Sequence, residues 1–342
     1  MTTSLTSSRA ISAEVRHVGV TAVTRFLDET WPELYGLTYQ PTPYQHPDWL
    51  GAWLLQLGFG EEPYILTVRD SGGLQAALAL VRSEAGDGRT RVVPLSSPAA
   101  ESIRLTGPGA EDPAVAAAAV NHFAILNEDG ALVRVPDVPL NSALGTQLRA
   151  RWEPSAHNPY ATITLPWSSD GLSRSTRRDH RRRLNAWNRL AAQGRHLYFR
   201  RSCYPTQLLE DYESLTRLHR LRNAARPAGD PHLVAQPGAG WTEVIQRCIG
   251  AVCIASLHVD SQMVAAQLCL TRDRHVYSAL TAMDPAYQAW APGHVLLQLL
   301  LDELGTDGHE SLVLGRTTPA QRAYKDLYNP IWSQTLTFKV TT

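Results

Sequence analysis

Residues 251–304 read AVCIASLHVD SQMVAAQLCL TRDRHVYSAL TAMDPAYQAW APGHVLLQLL LDEL, and this stretch decides the fold. Two apolar runs of strand length, 251–259 and 263–271, flank the turn signal Asp260-Ser261-Gln262. Arg272-Asp273-Arg274 then turns the chain into a third run, 275–282. Residues 283–292 hold neither a strand nor a helix period and read as an irregular loop. Residues 293–304 bring leucines back at helical spacing. Downstream, 311–315 reads as a strand, 320–328 as a short helix and 333–340 as a closing strand.

Working outward, 225–240 is rich in Pro and Gly and reads as a loop. Residues 208–222 and 174–193 read as helices, the latter with Leu184, Trp187 and Leu190 as apolar positions and Leu172 just ahead of it. Pro154, Pro159 and Pro166, with a short strand at 162–165 and a Ser-rich turn, mark a domain boundary. The first half opens with a Ser/Thr-rich segment, 1–12, expected to be a flexible tail. It continues with helical stretches near 22–31 and 48–57. A hairpin follows, 64–68 and 74–81 around Asp70-Ser71-Gly72-Gly73, then a helix at 114–126 and a strand at 131–135. Each half thus places helices first, then a hairpin, then a helix and a strand. The expected organisation is the tail 1–12, a domain 13–155 and a domain 156–342, of α/β (α+β) class, with mixed twisted sheets flanked by helices.

Composition limits what the chain can do. Apolar residues make up 44% and charged residues 19%, a balance that supports packed cores and argues against disorder. The formal net charge is zero, so the chain as a whole is not drawn to a polyanion. Lysine occurs only at Lys325 and Lys339 among the 32 basic residues. Cys203, Cys248, Cys253 and Cys269 form no C-x-x-C pair and are expected to be reduced core thiols, with no metal site. The N-terminus has no apolar signal segment, and no apolar run reaches the roughly 20 residues of a membrane span. A cytoplasmic protein without membrane partners is expected.

Several sets of residues carry a resemblance. They are the run Pro47-Asp48-Trp49-Leu50-Gly51-Ala52-Trp53 and the run from Ser175 to Arg182 with Leu184. Leu218-His219 with Arg222, and Val264-Ala265-Ala266, come next. Ala282 with Asp284-Pro285 and Tyr287, Pro292-Gly293 with Leu296-Leu297, and Gly315 followed by Tyr324-Lys325 complete the set. Together they resemble the GNAT acyltransferase superfamily. More narrowly, the chain looks like its CelD/BioF2-type acetyltransferase-like family, kin to the Fem aminoacyltransferases. The resemblance implies tandem GNAT-like domains and direct transfer of an acyl or aminoacyl group to an amine. The donor would be acyl-CoA or aminoacyl-tRNA, used as a co-substrate rather than a resident cofactor. The long helical arm of cell-wall Fem enzymes is missing.

Candidate site residues follow. A helix N-terminus presents unpaired N–H groups, so Gly293, His294 and the preceding Gln288 are expected to bind the donor. Ala291 stands where acetyl-CoA users of this fold have Gly, and Pro292 removes an N–H, which tilts the donor towards aminoacyl-tRNA. Residues 171–201 hold ten Arg and one Asp. Arg178, Arg181 and Arg182, with Arg177 and Arg189, recur at helical spacing and can neutralise phosphates, whether on tRNA or CoA. The alternative is a solvated face. His219 is a candidate general base, since imidazole titrates near neutral pH, and otherwise a structural residue. Arg222 is a candidate for an acceptor carboxylate, with Gln267 and Tyr277 as strand residues able to face the acyl channel. The resemblance makes Tyr324 and Lys325 an aromatic–Lys pair engaging the reacting ester; otherwise Lys325 is a surface residue. The expected activity is N-acyl or aminoacyl transfer to an amine of a small molecule or precursor. The competing reading is a non-catalytic GNAT-fold binding protein serving polysaccharide or metabolite assembly.

Overall fold

The computed structural model describes residues 10–97, 99–225, 238–248 and 250–340. Two compact units emerge, Met1–Asn158 with Gln334–Thr342, and Pro159–Ser333. Most of the expected tail, residues 1–9, and most of the expected loop 225–240, residues 226–237, lie outside the described residues.

The first unit runs β1 (Ser12–Val18), α1 (Val20–Glu29), α2 (Trp31–Leu37), α3 (Pro47–Leu54), β2 (Glu62–Asp70), β3 (Gly73–Glu84), β4 (Thr90–Pro94), α4 (Pro113–Glu128), β5 (Leu132–Pro139) and α5 (Ala143–Arg151). The β2–β3 hairpin turns where Asp70 Oδ1 accepts the Gly72 N–H at 2.7 Å and Gly73 takes φ +119°, a value that glycine tolerates freely. Strands β1, β2, β3 and β4 pair antiparallel and β4 pairs β5 parallel. The sheet is completed by β12 (Ile331–Val340), whose residues Thr335–Val340 pair antiparallel with Val133–Pro139. At that seam Asp137, with φ +49°, is buried and accepts hydrogen bonds from Asn158 Nδ2 at 2.8 Å and Thr335 Oγ1 at 3.2 Å.

The second unit runs β6 (Ala156–Thr164), α6 (Arg174–Ala192), β7 (Leu197–Ser202), α7 (Pro205–Ala224), α8 (Ala239–Arg247), β8 (Val252–Val259), β9 (Gln262–Arg272), β10 (His275–Met283), α9 (Pro292–Thr306), β11 (Ser311–Arg316) and α10 (Pro319–Asp326). Its strand order is β6-β11-β10-β9-β8-β7. Tight turns join β8 to β9 and β9 to β10, with Asp260 and Asp273 in the left-handed region (φ +56° and +52°), which short polar side chains tolerate best after glycine. Val295, Leu297, Leu300, Leu301 and Leu304 of α9 pack on Val264, Ala265, Cys269 and Val276 of the sheet, and Trp187 and Leu190 of α6 join that core.

From β7 onward the second unit follows the order of the first, with two helices where the first has three: strand, helices, three antiparallel strands, helix, parallel strand, helix. This is the tandem GNAT architecture, α/β with mixed sheets. The last strand sits differently from expectation. The sequence pattern places it in the 156–342 domain, yet its residues pair with β5 of the first unit, while β6 takes the place beside β11. The sequence reading also passed over β1, α2, β4, α5, β7 and α8.

Candidate active site

The opening of the second unit arises from two strands that part company. β10 and β11 pair in parallel only over His275–Tyr277 and Ser311–Val313. Beyond that, β10 follows β9 up to Met283, with a bulge between Ser278 and Leu280. β11 follows β6, with its own bulge between Val313 and Gly315, where Gly315 takes φ +68°. Each bulge bends its strand away from the other. Of the expected channel residues, Tyr277 lies at the last paired position of β10. Gln267 is buried on β9 opposite Thr281, in the diverging half.

Lys325 serves this bulge. Its buried ammonium donates to the carbonyls of Leu314 at 2.6 Å, Gly315 at 3.2 Å and Arg316 at 3.0 Å. Carbonyls released from a ladder need new donors when buried, and a compact ammonium supplies three. Lys325 therefore clamps the end of β11 rather than projecting a bare charge into the opening. Its neighbour Tyr324 donates from Oη to the Gly293 carbonyl at 3.3 Å, and burial raises its pKa, so it stays protonated at neutral pH.

The start of α9 lies at this opening. Ala291 adopts a left-handed conformation (φ +50°), Pro292 occupies the first turn, and no side chain caps the helix. A Cβ on Gly293 would meet only Met283 Sδ, at 3.8 Å, so this turn is not wedged into a closed core. Gln288 is exposed in the short 3₁₀ turn ahead of it. His294 Nδ1 receives the Arg183 guanidinium at 3.2 Å and lies 3.0 Å from Tyr328 Oη. Arginine only donates, so Nδ1 is the acceptor and the neutral ring carries its proton on Nε2. Burial first, then the nearby Arg183 and His180, lowers the His294 pKa to about 4.

Arg183 is absent from the arginines that helical spacing singles out, Arg177, Arg178, Arg181, Arg182 and Arg189. A signal was present: His180, Arg183, Trp187 and Leu190 are spaced three, four and three, so Arg183 is a cation set in the helix's inward stripe. It pairs with Asp179 at 2.5 Å. His180, buried, donates from Nε2 to the Leu327 carbonyl at 2.8 Å and accepts at Nδ1 from Gln298. Trp167 donates from Nε1 to the Tyr328 carbonyl at 3.0 Å and packs edge-on against His180.

The expected basic face of α6 divides. Arg182 pairs with Asp179 at 2.5 Å, and Arg177 donates to the Asp170 carbonyl at 3.3 Å. Arg174, Arg178, Arg181 and Arg189 are exposed, have no partner among the described residues, and line an open cavity of about 1230 Å³. His219, on α7, is elsewhere: it is buried, neither ring nitrogen has a partner, and burial with the Arg222 charge lowers its pKa to about 4. One turn on, Arg222 donates to the Thr281 carbonyl at 3.0 Å, which ties this end of α7 to the diverging half of β10. Among the described residues no group of three or more His, Cys, Asp or Glu is placed to hold a metal, and no helix is long and apolar enough to cross a membrane.

Residues 174–326 match the family model described as an acetyltransferase (GNAT) domain. A search of curated proteins by sequence finds no match. Among solved structures, FemX aligns with a TM-score of 0.59 at 11% identity, over 96% of this chain and 97% of its own. L-PGS from Bacillus licheniformis aligns at 0.54 and 14% identity, over 85% and 90%. A conserved protein of unknown function from Bacteroides thetaiotaomicron aligns at 0.53 and 11%, over 96% and 99%. At these identities the likenesses speak to fold. They run the length of the chain, while the family model covers the segment that holds α9, Tyr324 and the parted strands. Residues 174–326 are thus similar to an acetyltransferase (GNAT) domain, in a chain whose fold is shared with FemX.

Proposed function

We propose that this protein transfers an aminoacyl group from aminoacyl-tRNA, or an acyl group from acyl-CoA, directly to the amine of a small molecule, and that aminoacyl-tRNA is the better donor. The observation that carries the reading is the uncapped start of α9 at the mouth of the parted strands, with a protonated phenol beside it. The donor's acyl carbonyl would enter between β10 and β11, where bulged backbone presents N–H groups to a developing oxyanion. The acceptor amine attacks the carbonyl carbon. As the tetrahedral intermediate collapses, Tyr324 gives its proton to the leaving oxygen or sulfur. Gly293, through its backbone N–H, and His294, through its Nε2–H, with exposed Gln288 nearby, would hold donor phosphate.

The acceptor would arrive from the α7 side. His219 is neutral at pH 7 and has two unbonded nitrogens, so it is the candidate base, with Arg222, Gln267 and Tyr277 shaping the approach. Lys325 would be a positioning residue that holds the β11 bulge. The preference for tRNA rests on the four unpartnered arginines of α6, since a row of free cations suits a polyphosphate backbone better than one pyrophosphate.

The test is single-turnover transfer to a panel of amines from mixed aminoacyl-tRNA or acyl-CoA. The double variant Arg178→Glu, Arg189→Glu should weaken tRNA binding by about 10²-fold at low salt and flatten its salt dependence. Unchanged tRNA affinity together with transfer from acyl-CoA would move the donor assignment. Donor binding without transfer to any amine would favour the non-catalytic reading.

A further inference from the structure

A second cavity, of about 450 Å³, lies between α6 and α9, away from the parted strands. Its lining is sorted by chemistry. Trp167, Leu184 and Leu299 give it apolar walls, and Leu184 is an exposed large hydrophobic at 36%. Arg177 and Arg181 stand on the α6 side, four residues apart and so one above the other. Gln298 and Asp302 stand on the α9 side, also four apart. The two sides differ in what they offer a ligand. Arginines only donate, so their side suits an anion. Gln298 gives an amide N–H to His180 Nδ1, which leaves its carbonyl oxygen for the cavity, and the Asp302 carboxylate has no partner among the described residues. That side accepts. His180 is buried with both ring nitrogens bonded, which fixes the Gln298 amide in this orientation.

We infer that this cavity binds a nucleoside phosphate whose base carries an amino group at the purine 6-position or the pyrimidine 4-position, adenine or cytosine. The base would lie between Trp167, Leu184 and Leu299, its amino group donating to Gln298 Oε1 and Asp302. Its phosphate would meet Arg177 and Arg181. Adenine and cytosine present an amino donor on the edge where guanine and uracil present a carbonyl acceptor, so an acceptor-lined end discriminates between the pairs. The source of such a ligand rests on the function proposed above, since both acyl-CoA and the 3′ end of tRNA carry adenosine; the cavity's preference does not.

Calorimetric titration of the intact chain tests it. Adenosine 5′-monophosphate and cytidine 5′-monophosphate should bind about tenfold or more tightly than uridine 5′-monophosphate or ribose 5-phosphate, the scale of one stacked base. Leu184→Glu, an exposed change that the fold tolerates, should weaken adenosine monophosphate binding about tenfold, and Arg181→Gln should lower its salt dependence. Equal affinity for ribose 5-phosphate, or binding indifferent to Leu184→Glu, overturns the inference. Competition of adenosine monophosphate by coenzyme A or by an RNA hairpin ending in CCA identifies the source. Nucleotide binding as expected, with no transfer from either donor, sinks the proposed function and leaves the cavity standing. Transfer unaffected by Leu184→Glu, with no nucleotide binding, does the reverse.

Discussion

The two units share one chain order and differ most where each fourth strand hands over to its central helix. In the second unit this connection is eight residues, Asp284–Ala291, and the parted strands stay open. In the first it is eighteen residues, 95–112, and it folds back over the sheet. Thr106 bridges Ala77, the Gly107 N–H reaches Thr38 Oγ1 at 2.8 Å, and Gln45 Nε2 donates to the Leu105 carbonyl at 2.8 Å. Ile103 and Leu105 are buried there, and a cavity of only about 20 Å³ remains. The helix starts differ in the same sense. Asp112 caps α4 by accepting the Ala114 N–H at 2.8 Å, which places a fixed carboxylate where an anion would sit. α9 has no such cap. One fold thus yields a plugged copy and an open one, and a loop with a single acidic cap makes the difference.

The largest effect expected from this contrast is chemical. Tyr324→Phe removes the phenol at the open end and should lower single-turnover transfer by about 10²-fold while thermal stability changes little. Wild-type turnover in that variant would return the opening to the status of its plugged counterpart. Next comes the plug. A Cβ at Gly107 would lie 2.5 Å from the Gln75 carbonyl oxygen, at φ +141°, so Gly107→Ala should destabilise the protein by about 2–3 kcal/mol in urea unfolding, with donor affinity of the folded fraction retained.

Acid sharpens the comparison further, with a smaller effect per group. His219, His258 and His294, all in the second unit, have pKa values lowered to about 4, in each case chiefly by burial. A histidine whose folded pKa lies below its unfolded value binds its proton more readily when unfolded. Its stabilisation is present above about pH 6.5 and is lost as pH falls from 6.5 towards 4, on the order of 1–2 kcal/mol per group. Hydrogen exchange at pH 5 should therefore show amides of β8, β9 and α9 opening before those of β2 and β3. Uniform loss of protection in the two units would contradict this account.

The sequence made the second unit's strands and central helix legible because their runs are long, apolar and bounded by Asp-containing turns. Tyr324 and the start of α9 are singled out through resemblance. Arg183 was hidden inside a run of arginines, where its inward position shows only once Trp187 and Leu190 fix the helix face. In sequence Lys325 reads as a cation for substrate because nothing there reveals that its ammonium turns back to three carbonyls nine to eleven residues earlier. β1 and β7 were missed since edge strands bury one side poorly and carry polar residues; β1 shows no buried position at all. The placement of the last strand was not legible either, since pairing partners two hundred residues apart leave no local signal.

That last strand has a consequence for how the protein comes into being. Chains are made from the N-terminus, and domains usually fold as they emerge. Here β5 at residues 132–139 must wait for residues 331–340 before its open edge is covered, whereas the second unit's β6 is synthesised before the strand it will flank. The half that is born first is finished last. Through nearly two hundred residues of synthesis, the nascent chain carries an exposed strand edge that waits for residues 331–340.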